Sequence, residues 1–177
     1  MRKLRTIEMK RLTAEEYREA EKVPLVVVLD DVRSMHNVGS VLRTADAFRL
    51  EAVWMCGITG TPPHAEIHKT ALGAEDSVSW RYFGTALEAV EKLKEEGVKV
   101  LAVEQAEGST MLQNFKSDPS RRYAIVLGNE VKGVHQEVID HCDGCLEIPQ
   151  RGTKHSMNVS VAAGIVIYHF VQLSLLE

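Results

Sequence analysis

From Leu25 onward the chain alternates apolar runs of strand length with stretches in which apolar residues return every three or four positions. That alternation is the pattern of a parallel sheet with helices on both faces, because strands buried on both sides read as continuous apolar runs. The runs predict six strands, over 25–30, 52–57, 77–83, 98–104, 121–128 and 145–149, and the helical spacings predict helices over 38–48, 85–96, 134–141 and 156–175. The expected class is α/β. In 85–96, Leu87, Val90 and Leu93 form one stripe opposite Glu and Lys, the pattern of a surface helix with a structural task. The last helix differs, since VSVAAGIVIYHFVQLSLL is apolar almost all the way round. A helix without a polar face is covered on two sides, here by the core and, as the economical expectation, by a partner subunit.

Residues 1–22 precede the first strand and form an expected arm, in which TAEEYREAEK has Thr13 and Glu16 at capping-box spacing. The arm is basic: Arg2, Lys3, Arg5, Lys10 and Arg11 against Glu8 give +4, which leaves −8 on the rest of a chain whose total is −4. A basic arm on an acidic body can grip phosphates locally, and a plain solvated helix end explains the same charges equally well. Residues 23–177 are then the main domain, in a 177-residue chain of ordinary globular composition, 45% hydrophobic and 26% charged. Asn158, Ser160, His169, Gln172 and Ser174 interrupt the C-terminal apolar stretch, and MRKLRTIEMKRL has no apolar signal region. No membrane span and a cytoplasmic location are expected. Cys142 and Cys145 form a lone CxxC with Cys56 far away, and His64 and His68 stand at i, i+4 behind Pro62 and Pro63 without a carboxylate motif. Neither set completes a metal site, so none is expected.

Three segments carry candidate chemistry, each placed where a predicted strand ends at its carboxyl edge, the ligand-binding edge of an open α/β sheet. In NVGSVLRTADAF, residues 37–48, Asn37 and Gly39 open a helix and Arg43 follows about two turns in. An arginine among apolar neighbours is costly unless its guanidinium is paired or faces a ligand, the plain alternative being an exposed arginine on the polar face. In LGNEVKGV, residues 127–134, Gly128 and Gly133 allow close backbone approach around Glu130. In IPQRGTKHSMNVSVAAG, residues 148–164, the basic loop Arg151, Lys154 and His155 leads to Ser156 and Asn158 at a helix N-terminus, where free N–H groups favour an electron-rich group. Ser156 read alone is simply a cap.

Taken together and in this order, the segments resemble the NxGxxxRTA, GxExxG and IPxxG…SxNVSVA motifs of the SpoU (TrmH-like) branch of the SPOUT superfamily of RNA 2′-O-ribose methyltransferases. The resemblance runs from Asn37 to the C-terminus and departs at Met157, where the family commonly has Leu, a swap that conserves volume. It implies a six-stranded parallel sheet with a C-terminal trefoil knot, and a homodimer joined through that knotted region. It also implies S-adenosylmethionine held by the loops at Val103–Glu104, Leu127–Gly128, Ile148–Pro149 and Met157–Asn158. The absence of GxGxxG after the first strand disfavours a Rossmann-type site and agrees with this.

By the same resemblance Arg43 is the catalytic arginine. A guanidinium is a poor base at neutral pH, so the expected role is to stabilise charge developing on the ribose oxygen, whether or not it takes the proton. Glu130 is expected to orient Arg43, with Asn37, Ser156 and Asn158 as positioning residues. Arg33, His36, Lys69, Arg151 and Lys154 are expected to contact RNA phosphates beside the loop 60–76. Transfer RNA is the expected substrate ahead of ribosomal RNA. The alternatives are a non-catalytic RNA-binding or assembly protein that keeps the fold, and methylation of an acceptor other than RNA.

Overall fold

The computed structural model describes residues 1–172. Helix α1 is Ala14–Glu19, and the expected capping box is present, with Thr13 Oγ1 accepting from Glu16 N and Glu16 accepting from Thr13 N. The sheet and its crossovers follow as β1 (Val23–Asp30), α2 (Met35–Ala47), β2 (Leu50–Cys56), α3 (Ala65–Ala71), α4 (Ala74–Ser77) and β3 (Trp80–Phe83). Next come α5 (Ala86–Glu95), β4 (Lys99–Val103), β5 (Thr110–Met111), β6 (Tyr123–Leu127), α6 (Gln136–His141), β7 (Cys145–Glu147) and α7 (Val159–Val171). The strands form one sheet in the order β3-β2-β1-β6-β4-β7-β5, and every pairing is parallel.

Alternation along the central strands divides the core in two, because successive side chains leave a strand on opposite faces. Leu25, Val27 and Leu29 of β1, with Tyr123, Ile125 and Leu127 of β6, face one cluster shared with α2, α3 and α7. Val26, Val28, Ala124 and Val126 face the other, closed by Ala89, Val90 and Leu93 of α5 and Val138 of α6. Tyr17 of α1 is buried in the first cluster, so the N-terminal arm contributes to the main core.

Several expected boundaries shift for identifiable reasons. The sheet has seven strands and not six, since the two residues of β5 pair with β7 but are too few to register as an apolar run. Helix α2 starts at Met35, before Asn37, because Ser34 Oγ accepts from Asn37 N and caps it. Residues 60–76, read as a loop, contain α3 and most of α4, and Ala74–Ser77 shortens the strand expected over 77–83 to Trp80–Phe83. Helix α7 is capped by Asn158 and not by Ser156, and the predicted residues 173–175 lie outside the described residues. Val166, Ile167 and Phe170 of α7 face the core while Val161, Ile165 and Tyr168 are exposed. Among the described residues no helix is long and apolar enough to cross a membrane.

The α2–α3 crossing depends on Gly39, where an added Cβ would stand 2.2 Å from Thr70 Oγ1 and 2.3 Å from the Ile67 carbonyl oxygen. Gly39→Ala is expected to lose about 1–3 kcal/mol by overpacking, more than the ~1 kcal/mol that Ala gains over Gly inside a helix. Urea denaturation checks the sign.

Candidate active site

The chain leaves β6 through a tight loop whose ends bond each other, Asn129 N to Gly133 O at 3.0 Å and Gly133 N to Asn129 O at 2.9 Å. The closure needs two glycines. Gly133 has φ +71°, and a Cβ on Gly128 would lie 2.0 Å from the Gly133 carbonyl carbon. Within the loop, Asn129 Oδ1 accepts from Val131 N and Lys132 N, while its Nδ2 donates to Asp31 O at 2.8 Å.

This loop presents Glu130 to the segment between β1 and α2. Its carboxylate accepts from Arg33 N at 3.0 Å, Ser34 N at 3.0 Å and Asn37 Nδ2 at 2.9 Å. Burial opposes ionisation of Glu130, but the bonds from Arg33 N, Asn37 and Ser34 N outweigh it and hold the carboxyl below its usual range. Asn37, itself buried, passes the chain on: its Oδ1 accepts from Asn158 Nδ2 at 3.1 Å and Ser160 Oγ at 3.5 Å. Asn158 Oδ1 in turn accepts from Ser160 N and Val161 N, capping α7. Three of the five expected catalytic residues, Asn37, Glu130 and Asn158, thus form one relay. Ser160 is a member that sequence reading missed, although it lies inside the NVSVA motif.

The other two stand apart. Arg43 is exposed and, among the described residues, makes no hydrogen bond or ion pair, so the expectation that Glu130 orients it is corrected. The Glu130 oxygens are occupied by backbone and Asn37 donors, which leaves the guanidinium facing solvent. Ser156 is exposed in the loop before α7 and caps nothing.

Beside the relay lies a cleft of about 840 Å³ at the carboxyl edges of β4, β6 and β7. Val103, Glu104, Leu127, Gly128, Ile148 and Met157, all expected in the cofactor site, line it together with Ser156, whereas Asn158 belongs to the relay. Glu104 accepts from Gln105 N at 2.8 Å and Val134 N at 3.1 Å, and Gln105 Nε2 donates to His155 O at 2.6 Å, tying the basic loop to the rim. Glu107 and Asp140 add two acids to the lining, against Lys132 and His155. A second cleft of about 560 Å³, between Pro62, Pro63, His68 and Trp80, includes none of the motif residues.

The expected RNA-facing residues fall into two groups. Arg151 and Lys154 are exposed in the loop before α7. His36 Nε2 and Lys69 Nζ share Glu66, at 3.0 and 2.5 Å, and Arg33 uses its backbone N–H on Glu130. His64 Nδ1 accepts from Glu66 N as the cap of α3, and His68 pairs with Glu75 at 2.5 Å. The three cysteines are free thiols, and burial pushes Cys142 up to about 12.

Strand ends, a glycine loop and a helix N-terminus that meet around one cleft define a small-ligand-binding α/β domain. This chain belongs to the SpoU rRNA Methylase family, whose sequence model matches residues 24–168. It is 34% identical over 144 residues to the 23S rRNA (guanosine-2′-O-)-methyltransferase RlmB of Neisseria meningitidis, covering 81% of this chain and 56% of that protein. Among solved structures it is similar to an AdoMet-bound rRNA methyltransferase from Sinorhizobium meliloti, with TM-score 0.78, 25% identity, and coverage of 89% of this chain and 60% of that one. It is likewise similar to the A. aeolicus TrmH/SpoU tRNA modifying enzyme, with TM-score 0.78, 25% identity, and coverage of 90% and 81%. The chain spans 56% to 60% of the length of the curated relatives it matches. The expected preference for transfer RNA is not supported, since those relatives are named for 23S rRNA.

Glu130→Gln keeps the shape of the side chain and removes its charge, so at pH 7 it is expected to cost about 1.5–3 kcal/mol. A carboxyl that titrates below its ordinary value when folded stabilises above the ordinary glutamate range and loses that contribution as pH falls through the lowered value. In denaturant titrations the gap between wild type and variant therefore closes at acid pH.

Proposed function

We propose that this chain transfers the methyl group of S-adenosylmethionine to a ribose 2′-hydroxyl of structured RNA. The observation that carries the reading is the relay Glu130–Asn37–Asn158, which joins the three family segments beside a cleft of ligand size. The residues of the cleft fit the cofactor. Val103, Leu127, Ile148 and Met157 offer apolar walls for an adenine, and Glu104, Glu107 and Asp140 favour a cationic ligand over a phosphorylated one. When bound, S-adenosylmethionine supplies an electrophilic methyl group on a sulfonium.

The chain's own part is positioning and charge stabilisation. Arg43 has its donors unengaged among the described residues, so they are available to the ribose oxygen and an adjacent phosphate, where they stabilise the developing alkoxide. Asn37 and Asn158 fix α2 and the start of α7 relative to each other, which sets where Arg43 stands. Ser156, at the mouth of the cleft, is placed to contact the substrate or the carboxylate end of the cofactor. Arg33, His36, Lys69, Arg151 and Lys154 hold the RNA backbone.

The same reading includes a homodimer and a knotted C-terminal region. The exposed side chains Val161, Ile165 and Tyr168 support the dimer, since they form an apolar face of α7 on which, among the described residues, Tyr168 alone meets a ring of this chain, Phe48, edge-on at 6.1 Å. Helix α7 packs against α2 with its cap bonded to Asn37, and the knot itself rests on the family resemblance.

Arg43→Ala is expected to reduce labelled-methyl transfer to RNA by at least roughly a hundredfold while cofactor binding by calorimetry persists. Arg43→Lys keeps the charge without the planar fork and is expected to recover only a part. Near-normal turnover of Arg43→Ala would refute the assignment, and scoring transfer to separated ribosomal and transfer RNA identifies the substrate. In RNA-binding assays Arg151→Ala is expected to flatten the salt dependence by about one unit of slope, and Lys69→Ala by less because Glu66 already neutralises it.

A further inference from the structure

Strand β6 lies between β1 and β4, and the loop that leaves it is gripped at its far end by a carboxylate from each neighbour. Glu104, next after β4, accepts from Val134 N at 3.1 Å, and Asp30, the last residue of β1, accepts from His135 N at 3.0 Å. Two consecutive amides are thereby pinned from opposite sides. His135 adds a second bond, because its Nδ1 lies 3.0 Å from both Asp30 oxygens.

Asp30 is only 3% exposed, and a carboxylate at that depth is costly unless a cation faces it. Among the described residues its ion-pair partner is His135. The other groups around the imidazole are also acidic or neutral: Asp31 Oδ2 at 3.7 Å from Nε2, Glu137 on the following helix, and the buried thiol of Cys56 beside the two aspartates. The hydrogen bond to Asp30, followed by the charges of Asp30 and Asp31, raises His135 above the usual histidine range against some loss from burial. His135 does not line the cleft, but Gly133 and Val134 before it and Gln136 and Ile139 after it do. The backbone of Gly133 and Val134 also packs directly on Gly128, another lining residue.

We infer that His135 and Asp30 are positioning residues for the cofactor cleft: the protonated pair holds the 128–134 wall in its binding shape, so cofactor affinity depends on pH through this one imidazole. The inference rests on the proposed cofactor reading. A group raised in the pinned state contributes fully below the ordinary histidine value, and its contribution is lost as pH rises through the raised one. Affinity therefore falls with rising pH, and by linkage bound cofactor raises His135 further.

The test is calorimetric titration of the full chain with S-adenosylmethionine from pH 6 to 8.5, for wild type, His135→Asn and Asp30→Asn. Across the range wild type is expected to weaken roughly three- to tenfold more than His135→Asn, which shares with it the titration of the cofactor's own amino group, and the two are expected to converge at high pH. His135 is partly exposed, so its variant carries the test if removal of the buried Asp30 charge impairs folding. Histidine ring NMR signals, assigned by loss in His135→Asn, should show His135 titrating higher with cofactor than without. A His135→Asn profile that still follows wild type, or a His135 titration unmoved by cofactor, overturns the inference while leaving the cofactor reading intact. A wild-type chain that binds no cofactor at any pH overturns both.

Discussion

One buried side-chain amide sets the geometry of the rest. Asn37 donates to Glu130 and accepts from Asn158 and Ser160, so the first helix after β1, the loop after β6 and the cap of the last helix share a single node. A buried amide left unpartnered costs more than any one of these bonds contributes, so the node holds all three segments or none. The glycines, the capping residues and the cleft wall are then consequences of bringing those backbones close enough to meet there. Glu130 acts in this node as a structural anion, neutralised by oriented amides and not by a cationic side chain.

What could be read from the sequence divides along a physical line. Most strand positions were legible as buried apolar runs, and the family resemblance named Val103, Leu127, Gly128, Ile148 and Met157, which the structure brings to one cleft at the carboxyl ends of parallel strands. The start of α2 was placed three residues late, at 38 instead of Met35, since a Ser34 cap followed by Met35 does not resemble the apolar periodicity further on. Helices α3 and α4, of seven and four residues, are too short for periodicity to show. Pairing across the site was the least legible. Glu130 was expected to orient Arg43, but contacts between residues 93 to 97 positions apart are decided by tertiary approach, and the Glu130 carboxylate is taken by the backbone amides of Arg33 and Ser34 and by the Asn37 side chain.

Charge is distributed with similar economy. A net acidic chain keeps acids inside the cleft and carries Arg151 and Lys154 on the exposed loop beside it, so charges of opposite sign stand close together there. Away from the mouth, Lys69 is already paired with Glu66, whose carboxylate also meets the His36 ring.

The strand order carries a consequence for how the molecule is made. Strand β1 gains one neighbour from β2, close behind it in the chain, but its other edge is covered only by β6, about a hundred residues later. While the chain emerges from the N-terminus, this strongly apolar strand therefore has an open hydrogen-bonding edge that any other extended segment can occupy. Assembly of the sheet is gated by residues 123–127. Conditions that slow the completion of the C-terminal half lengthen the exposure of that edge.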